Sequence, residues 1–253
     1  MLKFFRKIRQ QLAYDNNLSK YSRYAIGEIF LVVIGILIAL QINNWNQARL
    51  ENNERLKLLN ALKLDLSSLQ TRSSQAIIDS ELQGKYLLEL LDVSAGVVAI
   101  EKVDSVQFKL QNSLMNYFFD SFSTTYEQAK SSGKLSLIKN EQLLMRLSKS
   151  EENFKGLKSV ESPVFNESYE AFNASVHLLE RINVLSNGLI ISPTPHPDIA
   201  LTPETLESFL QSEANYQKLY HLYFLNTLTK LWWQSLDFSV KETIKEIEIS
   251  LKS

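Results

Sequence analysis

Apolar residues are arranged along this chain in two different ways. Between Tyr24 and Ile42 they run almost continuously, and from Ile29 to Leu40 there is no polar side chain at all. Beyond residue 50 they recur instead at steps of three and four, as in Leu56, Leu59, Leu62, Leu66 and Leu69. The second pattern is that of an amphipathic helix with one buried stripe. The first has no polar stripe. About 19 residues at ~1.5 Å each make roughly 28 Å of helix, close to the ~30 Å thickness of bilayer hydrocarbon.

The stripe predicts a chain of helices. The first continues past the polar pair Ser73–Ser74 through Ile77, Tyr86, Leu87, Leu90 and Leu91, and packs against the body rather than forming a separate coiled coil. A weak break follows at "DVSAGVVAIEKVD". A second segment runs through Val106, Leu110, Leu114 and Tyr117. "SFSTTYEQAKSSG" reads as a helix stopped by Gly133, and Asn140 as the N-cap of the next. Pro163 is expected to interrupt that helix. Residues 186–202, with Pro193, Pro195 and Pro197, form a loop. Thr202-Pro203-Glu204 then opens a helix, and the last long helix carries a stripe from Leu222 to Leu251. No strand-type alternation competes. The expected fold is all-α: a single N-terminal transmembrane helix, then a helical bundle with a long membrane-proximal helix.

Charge sets the orientation. Residues 1–23 carry six basic residues against Asp15 alone, a net of +5, which leaves −6 for the remainder of a chain whose total is −1. Leu2, Phe5, Ile8 and Leu12 fall at helical spacing among Lys3, Arg6, Lys7 and Arg9. This head reads as a basic amphipathic helix on an anionic membrane surface, with too little basic area for nucleic acid. Positive charge before the span places the N-terminus in the cytoplasm and the body in the periplasm, across the inner membrane. Arg6, Arg9, Arg23, Tyr24 and Trp45 are the expected interface residues. A cleaved signal peptide would need small residues after the apolar run, where Gln41, Ile42, Asn43, Asn44 and Trp45 stand instead. The organisation expected is therefore a head (1–23), a span (24–42) and an all-α periplasmic domain (43–253).

Two features of the span admit a partner. Glu28, about one turn inside, is either an interfacial carboxylate near the headgroups or a charge paired with another helix. Gly35 and Ala39 form a small-xxx-small pair that allows a second helix to approach closely.

The quoted stretches "LKFFRKIRQ" and "SKYSRYAIGEIFLVVIGILIALQINNWNQ" resemble the opening of a family of uncharacterised single-pass membrane proteins of Bacteroidota. "TTYEQAKSSGKLSLIKNEQLLMRLS", residues 124–148, is similar to that family's second shared stretch. The resemblance implies a basic head, one span and a helical body. It implies no activity and no site residues.

Chemistry is sparse. There is no cysteine, which removes disulfides, thiol nucleophiles and Cys metal sites. His177, His196 and His221 have no metal-ligand spacing among themselves or with carboxylates. No GxSxG, Walker-type loop or GxGxxG occurs, and "SSGK" at 131–134 reads as a helix stop. Glu151-Glu152 and Glu246-Glu248 read as solvated faces. Trp232-Trp233, with Tyr216, Tyr220, Tyr223 and Phe224, fills the core or forms an aromatic partner patch. The expectation is a non-enzymatic scaffold or interaction protein with no cofactor or metal, whose partners are the bilayer and a protein or a second copy. An accessory subunit contacting its complex through the span is the alternative.

Overall fold

The computed structural model describes residues 18–100, 102–113, 121–175 and 202–252. Arg6 and Arg9 of the head, Leu114, Tyr117, His177 and the proline loop with His196 lie outside them. The described residues form six α-helices and one 3-10 turn, with no strand. These are α1 (Leu18–Ser94), α2 (Val103–Ser113), α3 (Thr124–Ser131), the 3-10 turn (Lys134–Leu137), α4 (Glu141–Ser175), α5 (Pro203–Leu210) and α6 (Glu213–Lys252). The chain divides into two compact units between Leu56 and Lys57, inside α1.

The boundaries follow local chemistry. α1 stops where Gly96 takes φ 72°, a left-handed conformation that a side chain disfavours. Its amide donates to the Val93 carbonyl (3.0 Å) and that of Val97 to Asp92 (2.9 Å), a Schellman closure. Gly133 takes the same left-handed conformation, φ 73°, just past the end of α3, its amide donating to the Lys130 carbonyl at 3.4 Å. Asn140 caps α4, its Oδ1 accepting from the Leu143 amide at 3.1 Å. Thr202 and Thr205 cap α5 reciprocally, with Pro203 in its first turn.

Pro163 does not interrupt α4, which runs unbroken from Glu141 to Ser175. A proline removes the amide that would bond the carbonyl four residues earlier, that of Ser159. Both Ser159 and Pro163 are exposed, so that carbonyl faces water. The flanking Leu157 and Val164 are buried and hold the helix on course.

Within the second unit, α1 and α6 run antiparallel. Lys63 pairs with Glu248 (2.7 Å), the Ser73 and Ser74 hydroxyls donate to Asp237 (2.9 and 2.8 Å), and Asn226 donates to the Ser80 carbonyl (2.9 Å). The polar pair that divides the apolar stripe of α1 is therefore a docking point for α6. α4 also runs antiparallel to α6, with the buried hydroxyls of Ser150 and Thr243 2.9 Å apart. The larger core takes Leu59, Leu62, Leu66 and Leu69 from α1, Leu143, Leu147 and Leu157 from α4, and Trp233, Leu236, Val240 and Ile247 from α6. A second cluster lies further along α1: Leu87, Leu90 and Leu91 meet Val106 and Leu110 of α2, Leu206 and Leu210 of α5, and Leu219 and Leu222 of α6. The Ser94 hydroxyl ties the two ends of this cluster by donating to the Leu210 carbonyl.

Trp232 and Trp233 separate. Trp233 is 2% exposed in the larger core. Trp232 is half-buried and lies against the bare backbone of Gly156, where an added Cβ would stand 2.2 Å from Cζ3 of the indole. Helix propensity alone favours Gly156→Ala by about 1 kcal/mol. The clash outweighs it, because overpacking costs about 1–3 kcal/mol. Gly156→Ala is expected to lower the denaturation midpoint, and Gly156→Ala with Trp232→Leu to recover part of the loss. A stabilised single mutant would refute this packing.

Candidate membrane segment and the polar clamp of the body

Among the described residues one helix, α1, is long and apolar enough to cross a membrane. Its most apolar 18-residue window has mean hydropathy 2.5, and none of that window is buried. From Ile29 to Leu40 the large side chains are exposed by between 41% (Ile34) and 73% (Leu31). A helix apolar on every side is normally covered by protein or by lipid, and among the described residues nothing covers this one. Leaving ten such side chains in water, at very roughly 1 kcal/mol each, would cost about as much as a whole domain's stability.

Glu28 is half-buried in this segment and keeps an interaction within the chain. An added Cβ at Gly27 or Gly35 would meet nothing within 4 Å. Arg23 and Tyr24 lie in α1, before the apolar run. At its other end Trp45 is 66% exposed, with the Arg49 guanidinium 5.6 Å from the centre of its ring. Residues 43–54 are helical and exposed throughout. Short-range pairs support them: Gln47 donates to Glu51 (3.1 Å), Arg49 to Asn46 (3.3 Å) and Arg55 to Asn52 (3.1 Å).

In the body, three carboxylates and one amide organise the corner between α3 and α4. Asp65 of α1 accepts from the Ser123 hydroxyl (2.8 Å) and the Thr125 amide (2.9 Å), while Ser123 caps α3 by accepting from the Tyr126 amide (3.1 Å). Burial works against ionised Asp65, but the Thr125 and Ser123 hydrogen bonds outweigh it and hold its carboxyl below the ordinary value. Glu151 of α4, 6% exposed, accepts from Lys155 (2.6 Å), both ways from Lys130 (2.9 and 3.0 Å) and from the Tyr126 hydroxyl (3.1 Å). Burial, the largest influence, pushes Glu151 up; the bonds from Lys155, Lys130 and Tyr126 overcome it and bring its pKa down to about 2. Burial and the Glu151 charge push Tyr126 up to about 12. Asn140 extends the network to α6, donating to Glu246 (2.8 Å) and Ser250 (2.9 Å).

Glu151 and Glu246 are thus not solvated faces: both are buried, whereas their neighbours Glu152 and Glu248 are not. The spacing carried a signal. Tyr126 and Lys130 are four apart, as are Glu151 and Lys155, so each pair shares a helix face. What the spacing could not give is that the two faces meet. The exposed aromatic residues of α6 are Tyr216, Tyr220, Phe224 and Phe238, with Trp233 inside. His221 is on the exposed side of α6. No group of three or more His, Asp or Glu among the described residues is placed to hold a metal ion. A shallow cleft of about 370 Å³ between the end of α1 and α2 is bordered by Asp92, Val98, Ile100 and Lys102, with Lys109 and Glu89 paired at 2.8 Å beside it.

The clamp has a pH signature. A carboxyl whose folded pKa lies near 2 rather than 4.5 contributes stability that is complete above about pH 4.5 and is lost as pH falls towards 2. Its partner lysines are largely exposed, so screening keeps the contribution to roughly 1–3 kcal/mol. Glu151→Gln is expected to be less stable at pH 7 and to show a flatter decline between pH 4.5 and 2 than the native chain, measured by denaturant unfolding at each pH. An unchanged slope would refute the ionised clamp.

No curated protein and no solved structure matches the chain. One family does, a family of unknown function (DUF6090), over residues 28–157. That segment holds the apolar run, Asp65, all of α3 and the Glu151 clamp, and stops before α5 and α6. With just over half its length matched, the chain belongs to this family of unknown function, DUF6090.

Proposed function

We propose that this chain is a single-pass inner-membrane protein whose helical body acts in the periplasm as a non-enzymatic scaffold or interaction domain. The observation that carries this reading is the apolar run of α1, uncovered on every side. The +5 head supports a cytoplasmic N-terminus, since basic residues stay on that side. Trp45 with Arg49 above it supports an interfacial anchor where the run ends. The resemblance to single-pass membrane proteins of Bacteroidota agrees with both. A body stabilised by leucine packing and polar caps, with its buried Glu151 engaged by Lys130, Lys155 and Tyr126, supports recognition rather than catalysis as its role.

A second reading is an accessory subunit of a membrane complex. It is favoured by the placement of Glu28, Gly35 and Ala39, which at about 100° per residue share an arc of ~40° on α1. The space around Gly35 is open to a neighbouring helix.

Topology tests the first reading. A C-terminal alkaline phosphatase fusion is expected to be active and a green fluorescent fusion dark, with the chain retained in membranes after carbonate extraction. The reverse fusion result would overturn the orientation, and release by carbonate would overturn the span. For the second reading, Glu28→Gln should leave insertion intact and abolish recovery of the complex from detergent. Equal recovery would remove Glu28 from any contact.

A further inference from the structure

α6 is apolar on two sides. Its inner side supplies Leu222, Trp233, Leu236, Val240 and Ile247 to the cores and buries Leu225 beside them. Its outer side carries Tyr220, Phe224, Leu231, Phe238 and Ile249, exposed by between 52% and 68%. At about 100° per residue these five fall within an arc of ~40°. They form one exposed line along the helix, where single scattered residues would be the ordinary finding on a folded surface. Phe224, Leu231 and Phe238 stand seven residues apart, with Tyr220 four residues before the first. Residues seven apart return to nearly the same side of a helix, so these large side chains keep one direction along α6, with Thr227 and Gln234 between them.

The geometry points to a second copy of this chain as the occupant: two bodies pair in parallel along the outer side of α6, from Tyr220 to Phe238. The parallel sense rests on the membrane reading above. Two copies held in one bilayer with the same orientation are related by an axis along the membrane normal. In a parallel pair each residue of the stripe faces its own counterpart, whereas in an antiparallel pair centred on Leu231, equally isologous, Phe238 faces Phe224. The area is adequate. Large side chains of about 150–250 Å² each, more than half exposed, give roughly 500 Å² per copy. The flanking Gln217, Thr227 and Gln234 extend this towards the ~800 Å² per partner of a stable interface. Anchoring in a membrane supplies the high local concentration that lets a modest interface form. Lys245, next in the seven-residue series, is ion-paired with Glu242 (2.5 Å), and this charged pair ends the apolar line there.

The absence of cysteine makes the test direct. Leu231→Cys, Phe238→Cys and, as a control on exposed α4, Met145→Cys are introduced singly into the full-length chain and treated in membrane vesicles with a short bis-maleimide. Strong dimer bands are expected at 231 and at 238, at least fivefold above 145. Leu231 crosslinking without Phe238 would overturn the parallel arrangement, because antiparallel copies place 238 opposite 224. A Leu231 signal no greater than that of Met145 would overturn the pairing altogether. As an independent check, Leu231→Glu with Phe238→Glu should remain helical by circular dichroism yet become monomeric by light scattering in detergent. A dimer that survives both glutamates would also overturn the proposal. Carbonate extraction of the same vesicles separates the two readings. A chain released with its Leu231 dimer intact would sink the anchor and not the pairing, whereas a chain retained but undimerised would sink the pairing alone.

Discussion

α1 keeps one conformation from Leu18 to Ser94 while the character of its side chains changes twice, and the elements packed on its later turns depend on that continuity. A helix satisfies its own backbone amides and carbonyls, so it tolerates hydrocarbon and water equally; only its side chains must change. They do so in sequence. From Ile29 to Leu40 they are apolar all round, from Asn43 to Glu54 polar and exposed, and from Leu59 onward apolar on a single buried stripe. The middle stretch is too short to be a stable helix alone in water. It holds because helix already exists at both of its ends, so no new nucleus is needed, and because pairs such as Gln47–Glu51 support it locally.

The body solves a related problem at its α3–α4 corner. α3 has eight residues, far below the length at which propensity sustains a helix. It is fixed instead by polar contacts at both ends: Asp65 and Ser123 take up its first amides, and Lys130 near its last turn reaches Glu151. Burying Glu151 costs several kcal/mol unless its oxygens are occupied, and here two lysines and a tyrosine hydroxyl occupy them. The corner is therefore specific rather than merely sticky. Asn140 shows the same economy, with its carbonyl oxygen capping α4 and its amide holding two residues of α6.

The apolar run, the helical class and most helix ends were legible because each rests on local chemistry. Gly133, Asn140 and the Thr202-Pro203 start needed only their neighbours to be read, while the weak break after α1 did not show that Gly96 makes it. Pro163 was misread because its cost depends on whether water reaches the Ser159 carbonyl, which is a tertiary fact. Glu151 and Glu246 looked like surface charges because partners that bury them lie elsewhere in the fold: Tyr126 and Lys130 of α3 for Glu151, and Asn140, 106 residues away, for Glu246. The tryptophan pair was ambiguous for a geometric reason. Adjacent residues on a helix are ~100° apart, so both cannot point into the core equally, and only the small Gly156 on α4 decides where Trp232 lies.

The outer stripe of α6 was hidden by the same ambiguity. A helix with apolar residues on two sides gives a nearly continuous apolar pattern, and periodicity then assigns nearly all of it to one core. Packing separates the two sides: Leu225, Trp233 and Val240 are covered by the chain itself, while Phe224, Leu231 and Phe238 are not. The apolar run of α1 presents the same uncovered state, but the two cases differ in geometry. The run is apolar around its full circumference, which suits a fluid apolar solvent with no preferred direction. The stripe is narrow and directional, which suits a matching solid surface. A second copy of the chain carries such a surface in identical form, so the stripe that one copy leaves uncovered is the same stripe the other offers.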